Sequence, residues 1–437
     1  MDSKDLMKKT EPQKILSVSA LARVEGEGGL FIKMDKGKVT SCELKIFEAP
    51  RFFESLLIGR NFHEPPDITS RICGICPVAY LISSIAAIED ACQVQIPEYI
   101  WNLRRLLYCG EWIESHSLHV FFLHAPGFLG YPSLMEMAKD FPKEAAWALQ
   151  MKKAGNTLIQ KIGGREIHPV NVRIGGFYSS PKKLDLRSLL DILKRGLDYS
   201  LLALQWIGLK FNFPDFKRNY TYVGLKHPKQ YPIERGIISC GESQFNAKEF
   251  EKNFIEEQTT YSNALRWKAT DSRSCLAGPL ARYHLNYSLL PAFLQEKLKE
   301  IGLEYPCHNP FQSILVRLAE ITYAFYEAIR LIEDYEPFSP SFIPFDPNPQ
   351  TGYGISEAPR GLLYHKYELD DKGCIRKAKI VPPTCFNLAS AEDDLKKWIE
   401  THSEDSIERM TLDCEQIVRN YDPCISCATH FLKLHIW

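Results

Sequence analysis

The sequence predicts a mostly helical α+β fold, built as one large domain over residues 1–437 with small antiparallel hairpins. Three observations carry that prediction. Long segments repeat apolar residues at helical spacing. Two shorter segments alternate apolar and polar residues around an Asp-Lys-Gly turn. No linker, internal repeat or low-complexity tract divides the chain.

In chain order, residues 29–47 place Leu30, Ile32 and Met34, then Cys42, Leu44 and Ile46, around Asp35-Lys36-Gly37, which predicts a β-hairpin. Over residues 78–95, Leu81, Ile82, Ile85, Ala86 and Ile88 fall at helical spacing. Residues 102–123 form a second, longer helical run. Residues 180–310 mix helical stretches with Pro-rich loops and offer no motif. Leu318, Ile321, Phe325, Ile329 and Ile332 mark a third helix, closed by Asp334-Tyr335-Glu336-Pro337. Residues 364–368 and 374–381 flank Asp371-Lys372-Gly373 as a second hairpin.

Composition bounds the function. The 437 residues are 45% hydrophobic and 24% charged, which excludes a disordered, collagen-like or coiled-coil chain. Aromatics at 12% are ample for a large core. A net charge of −1 gives no general reason to bind nucleic acid or anionic lipid. The longest stretch without Asp, Glu, Lys or Arg, residues 115–135, contains His116, His119, His124, Pro126 and Pro132, so it does not read as a lipid-facing helix. The first residues, MDSKDLMKKTEPQK, hold no apolar signal core, so the expected location is cytoplasmic.

Two of the motifs among the thirteen cysteines carry chemistry. Cys73-Gly-Ile-Cys76 precedes the first helix, and Cys424-Ile-Ser-Cys427 lies near the C-terminus. A C-x-x-C at a helix start aims two thiolates at one point, and the helix dipole lowers their pKa. Two such pairs make a four-thiolate cup suited to zinc, nickel or iron. A redox dithiol would need only one pair. Structural zinc remains open, although its second pair usually follows within about 20 residues. Cys42, Cys92, Cys109, Cys240, Cys275, Cys307, Cys374, Cys385 and Cys414 have no motif around them and are expected as small buried hydrophobes.

The residues flanking the pairs narrow the choice. SRICGIC, DPCISCATH, ARVEGEG at 22–28, FEAPRFFE at 47–54, GGREIHPVNVRIGG at 163–176, SEAPRG at 356–361 and IVPPT at 380–384 are all present, spread over nearly the whole chain. Together they resemble the large subunit of nickel–iron hydrogenases. FEAPRFFE and RICGICPVAY look like the branch that couples hydrogen to NADP or to sulfur in soluble, cytosolic, multisubunit enzymes. The related subunit of respiratory complex I lacks the four cysteines, which this chain has.

The resemblance implies a set of roles. Cys73 and Cys424 would be terminal nickel ligands, and Cys76 and Cys427 would bridge nickel to an iron carrying one carbon monoxide and two cyanides. Heterolytic cleavage of H2 needs a base near the metal, and the terminal thiolate of Cys424 would take the proton. Glu25 matches the proton-relay glutamate. Arg360 and Thr384 would approach the diatomic ligands of the iron, since an antiparallel hairpin brings its outer ends together. Asp422 would stand with Arg360 over the metals. Glu54, the Lys379 backbone carbonyl and His430 would hold Mg2+ or a similar cation. Tyr80 stands where many members have His, and Gly127 where many have an Asp near Arg360 and Asp422. The remaining cysteines form no cluster motif, so an iron–sulfur small subunit is expected as partner, with flavin- and NAD(P)-binding subunits beyond it. Residues 431–437 would be a C-terminal propeptide that a maturation protease removes after His430.

Overall fold

The strand that opens the fold, β1 (Lys14–Val18), pairs antiparallel with β2 (Gly28–Asp35), which pairs in turn with β3 (Lys38–Ile46). The turn between β2 and β3 is the expected one. Lys36 and Gly37 adopt φ of 51° and 75°, the left-handed pair that suits a tight hairpin. β1 leaves no alternation in the sequence because only Leu16 of its five residues is buried. The computed structural model describes residues 14–346 and 350–429.

Five long helices form the body. They are α1 (Pro77–Ala91), α2 (Glu98–Ser117), α3 (Pro142–Gly163), α4 (Leu190–Lys210) and α5 (Ser313–Glu333). α2 lies against both α3 and α5, and α4 covers α3 and α5. From Leu103 to Ser117 every residue of α2 is buried. Its charged residues therefore pair internally. Arg104 forms a two-pronged bond to Glu89, at 2.9 and 2.6 Å, and Arg105 meets Glu234 and Glu327. At Ser117 the chain does not stop but widens into a π-helical turn, Leu118–His124.

The second expected hairpin is a three-stranded sheet, β4 (Thr351–Ala358), β5 (Gly361–Leu369) and β6 (Ile375–Val381). β4 lies flat on α1 because Gly352, Gly354 and Ser356 share one of its faces. A Cβ at Gly352 would stand 1.9 Å from the Ala87 carbonyl oxygen, and one at Gly354 would stand 2.0 Å from that of Ser83. The Ser356 and Ser83 hydroxyls are 2.7 Å apart. This contact fixes the Pro359-Arg360 turn relative to the start of α1. Two helices, α6 (Pro383–Thr401) and α7 (Ile407–Asn420), then lead to the last cysteine pair.

The middle segment carries a four-stranded sheet in which Cys275–Ala277 runs parallel to Thr221–Lys226; the other described sheets are antiparallel. Helix is about 48% and strand about 20%, in line with the mostly helical α+β expectation. The main apolar core draws on residues from Leu16 to Ala428, and Leu134, Met137 and Ala145 form a small second cluster. Cys42, Cys92 and Cys374 are only half-buried, which corrects their placement as core residues; the other six motif-free cysteines are buried. No described helix is long and apolar enough to cross a membrane.

Candidate metal centre

The two cysteine pairs, from opposite ends of the chain, meet in the core. The four sulfurs of Cys73, Cys76, Cys424 and Cys427 lie within 4.8 Å of one another, and each residue is at most 4% exposed. Cys73 Sγ and Cys424 Sγ are 3.5 Å apart, so these are free thiols rather than a disulfide.

Several elements hold the cup. Cys76 is the N-cap of α1, and Pro77 occupies the first helical position, where its missing N–H costs nothing. The next two amides need acceptors, and Glu111 from α2 supplies both: Val78 N donates to Oε2 at 2.6 Å and Ala79 N to Oε1 at 3.1 Å. Burial pushes the Glu111 carboxyl well above the usual range, against the pull of the Val78 N–H. Arg51 ties the two pairs together. Its Nη2 donates to Ile72 O at 2.8 Å and also to Ser426 O, and its backbone N donates to Thr429 O at 2.7 Å.

The C-terminal pair is approached from the N-terminal loop. Glu25 and Cys424 form a parallel β-bridge, and Ile425 N donates to Glu25 O at 3.0 Å. The Glu25 carboxylate accepts from Ser426 N at 3.1 Å, and Glu48 accepts from the Ser426 hydroxyl at 3.0 Å. The π-helical turn aims His119 and His124 at the segment just before the pair, because a five-residue separation aligns side chains at π pitch. His119 Nε2 donates to Arg419 O at 2.8 Å, and His124 Nε2 stands 3.0 Å from Asn420 Oδ1. Burial holds both imidazoles well below their ordinary pKa, hence neutral.

Arg360 and Thr384 both bond to this segment. Thr384 Oγ1 accepts from Cys424 N at 3.0 Å, and Arg360 donates to Asp422 from Nε and Nη2. Arg360 Nη1 and Asp422 Oδ2 are buried and have no partner among the described residues. Gly127 departs from expectation: the atoms nearest to a side chain there are guanidinium nitrogens of Arg23 and Arg419, not Arg360 or Asp422. Tyr80 packs edge-on against His365, ring centroids 5.8 Å apart, with Cys427 and Cys76 nearby.

Glu54 is buried, and its Oε1 accepts from Ile380 N at 2.8 Å, which brings it to the 379–380 peptide. The Lys379 ammonium points elsewhere, to Glu256 and over the Trp267 ring. His430 and the 431–437 tail lie outside the described residues.

The donor set fits a soft metal pair. Hydrogen bonds from the neighbouring thiols, Cys424 foremost, and the Arg360 charge pull Cys73 well below the ordinary thiol range. Cys424 and Cys427 are pushed up, chiefly by burial. Four crowded, buried thiols cannot all ionise unless cations supply the compensating charge. The unpaired Arg360 Nη1 is a donor ready for a further acceptor.

The chain resembles known proteins over nearly its full length. It is 30% identical over 422 residues to the alpha chain of sulfhydrogenase 1 of Pyrococcus furiosus, covering 96% of this chain and 98% of that protein. It is 29% identical over 418 residues to a chain of the F420-non-reducing hydrogenase vhu of Methanococcus voltae, covering 90% and 99%. Its fold superposes on an NAD+-reducing [NiFe]-hydrogenase in the H2-reduced state with a TM-score of 0.86 at 22% identity, covering 96% and 100%. It likewise matches the Ni-Fe-Se hydrogenase of D. vulgaris Hildenborough, TM-score 0.78 at 20% identity, with the same coverage. A family model for nickel-dependent hydrogenases matches residues 51–177 and 313–430, one segment holding each cysteine pair, so the chain that folds these two ends into one thiol cup belongs to the nickel-dependent hydrogenase family.

Proposed function

We propose that the cup holds a nickel–iron pair, with Cys73 and Cys424 as terminal nickel ligands and Cys76 and Cys427 as bridges, and that this hydrogenase subunit splits H2 reversibly into protons and electrons. The observation that carries the proposal is the burial of four thiols within 4.8 Å of one another. When bound, the metal pair supplies adjacent soft acids that polarise H2 and take its electron pair.

The protein's part is proton handling and positioning. Cys424 Sγ holds the released proton. Glu25 passes it on, because its backbone runs beside Cys424 while its half-buried carboxylate accepts from Ser426 N, whose hydroxyl donates to Glu48. Arg360, oriented by Asp422, offers Nη1 to a diatomic ligand of the iron, and Thr384 fixes the Cys424 amide. Glu54, the Lys379 carbonyl and His430 hold Mg2+ or a similar hard cation.

Among the described residues, the cup is the one cluster of metal-ligating side chains. Electrons therefore leave through an iron–sulfur small subunit, and NAD(P) or sulfur as final acceptor fits the sulfhydrogenase and NAD+-reducing likenesses. Flavin- and NAD(P)-binding subunits and a cytoplasmic setting belong to the same reading. So does maturation by a protease that cuts after His430, which intact mass of the active enzyme tests. Retention of Trp437 in the nickel-loaded enzyme would reject that cut.

Metal analysis with infrared spectroscopy tests the centre. This subunit, separated from its iron–sulfur partner, should hold nickel and iron in equal amounts and show bands for carbon monoxide and cyanide. Zinc in place of both would overturn the assignment.

A further inference from the structure

A cavity of about 470 Å3 opens beside Gly127, lined among others by Arg23, Phe128, Tyr131, Asn212 and Arg419. None of the four thiols lines it. A side chain at 127 would begin 3.2 Å from Nη2 and 3.5 Å from Nη1 of Arg23, and 3.4 Å from Nη1 of Arg419. Glycine leaves that point open, and three guanidinium nitrogens converge on it.

The charges around the point do not balance. Arg419 donates from Nη2 to Glu415 at 2.5 Å and from Nε to Ala22 O at 3.1 Å. Arg23 makes one long contact, from Nη1 to Tyr131 O at 3.4 Å, and no ion pair among the described residues. Arg409, at the edge of the cavity, pairs with Asp413. Glu415 therefore serves two adjacent arginines. Burial, and after it the Arg23 charge, hold Arg419 down to about 10, and burial lowers Arg23 as well. The Arg23 backbone sits at φ 60°, a left-handed conformation that a non-glycine residue adopts at a cost.

We propose that this cavity binds a small organic oxyanion, a carboxylate or a phosphate monoester. Its oxygens accept from Arg23 Nη1 and Nη2 and from Arg419 Nη1. Paired guanidinium groups are the natural receptor for such a group, since their planar forks match its oxygens. The cavity is far larger than a bare oxyanion needs and falls in the range of small-molecule sites. Phe128 and Tyr131 supply the wall for an apolar body, and Asn212 offers a further polar contact. The site is built without the thiol cup, so it stands or falls apart from the metal chemistry.

Calorimetry on the purified multisubunit enzyme tests it, with benzoate, phenyl phosphate and inorganic phosphate as probes. Saturable binding of benzoate or phenyl phosphate, tighter than inorganic phosphate, is expected, and which of the two binds tells carboxylate from phosphate. Arg23→Gln should weaken it about tenfold or more, as loss of a charge-assisted bond does. Gly127→Asp should abolish it, because the new carboxylate reaches the same three nitrogens. Saturation by none of the three probes overturns the proposal, as does unchanged affinity in both variants. Inorganic phosphate binding as tightly as the aryl probes overturns the organic ligand. Should Gly127→Asp fail to fold, Arg23→Gln decides alone.

Discussion

Arg360 and Asp422 grip each other beside the thiol cup: Nε donates to the Asp422 backbone oxygen at 2.9 Å and Nη2 to Oδ1 at 3.1 Å. Asp422 holds this position at φ 49°, a left-handed backbone that Asp tolerates better than most residues. The grip turns the third nitrogen, Nη1, into a fixed donor with no protein acceptor among the described residues. Lysine cannot reproduce a fork that bonds Asp422 twice and still offers a third donor. Arg360→Lys should therefore keep the nickel yet lower H2 turnover about tenfold to a hundredfold, the scale of one lost charge-assisted hydrogen bond. Full turnover in Arg360→Lys would remove the donor role.

Cys76 differs from the other three thiols in being both an expected metal bridge and the N-cap of α1. Serine can occupy that N-cap position without penalty, so the helix should form. It cannot supply a soft bridging sulfur. Cys76→Ser should thus remain folded by circular dichroism while losing nickel and H2 uptake together. A folded variant with its full nickel content and normal uptake would show that the cup is not the site.

Glu25→Gln separates the proton path from the metal. The amide oxygen can still accept from Ser426 N, which preserves the contact seen at 3.1 Å. It cannot carry a proton as a carboxylate does. Exchange of H2 with deuterium from solvent should fall at least about a hundredfold, the usual scale for losing a general acid–base, with metal content and infrared bands intact. Unchanged exchange would move the relay to another group.

What could be read from the sequence follows what each residue announces. The cysteine pairs were legible because their spacing is local and their chemistry narrow. The helix runs and the β2–β3 turn were legible from periodicity and Asp-Lys-Gly. β4 was not, because its contact face is glycine and serine, chosen for backbone approach to α1 rather than for hydrophobicity. α2 read as a helix, but its burial on every side did not, since the carboxylates that pair with Arg104 and Arg105, namely Glu89, Glu234 and Glu327, come from other segments. Glu111, Arg51 and Glu48 were silent for a related reason. They bond mainly to backbone groups of the cysteine segments and the Glu25 loop, and backbone groups leave no mark in a sequence. Glu48 and Arg51 do fall inside the FEAPRFFE motif, the one signal that could have found them.

The same distant pairing makes a pH prediction. Arg282 stands between two buried carboxylates, giving Nε and Nη2 to Glu320 at 2.7 and 2.6 Å but only Nη1 to Glu357 at 2.9 Å. His116 adds a third contact to Glu320 at 2.9 Å. Against the cost of burial, Glu320 is thereby held down to about 2, whereas burial outweighs the single Arg282 contact on Glu357 and pushes it up to about 7. One guanidinium does not neutralise two carboxylates. Glu357 binds its proton more tightly folded than unfolded, so the folded state carries the extra proton between about pH 4.5 and 7. Its contribution is thus present at low pH and is lost as pH rises through that window, by up to ~3 kcal/mol. Glu357→Gln keeps the shape, the contact to Leu225 N and the neutral state at every pH. Its amide NH2 cannot accept from Arg282 Nη1, which sets a constant offset, but its midpoint of thermal unfolding should rise relative to wild type as pH goes from 4.5 to 7. A difference between the two that stays flat over this range would show that Glu357 is ionised in the fold and that Arg282 does serve both carboxylates.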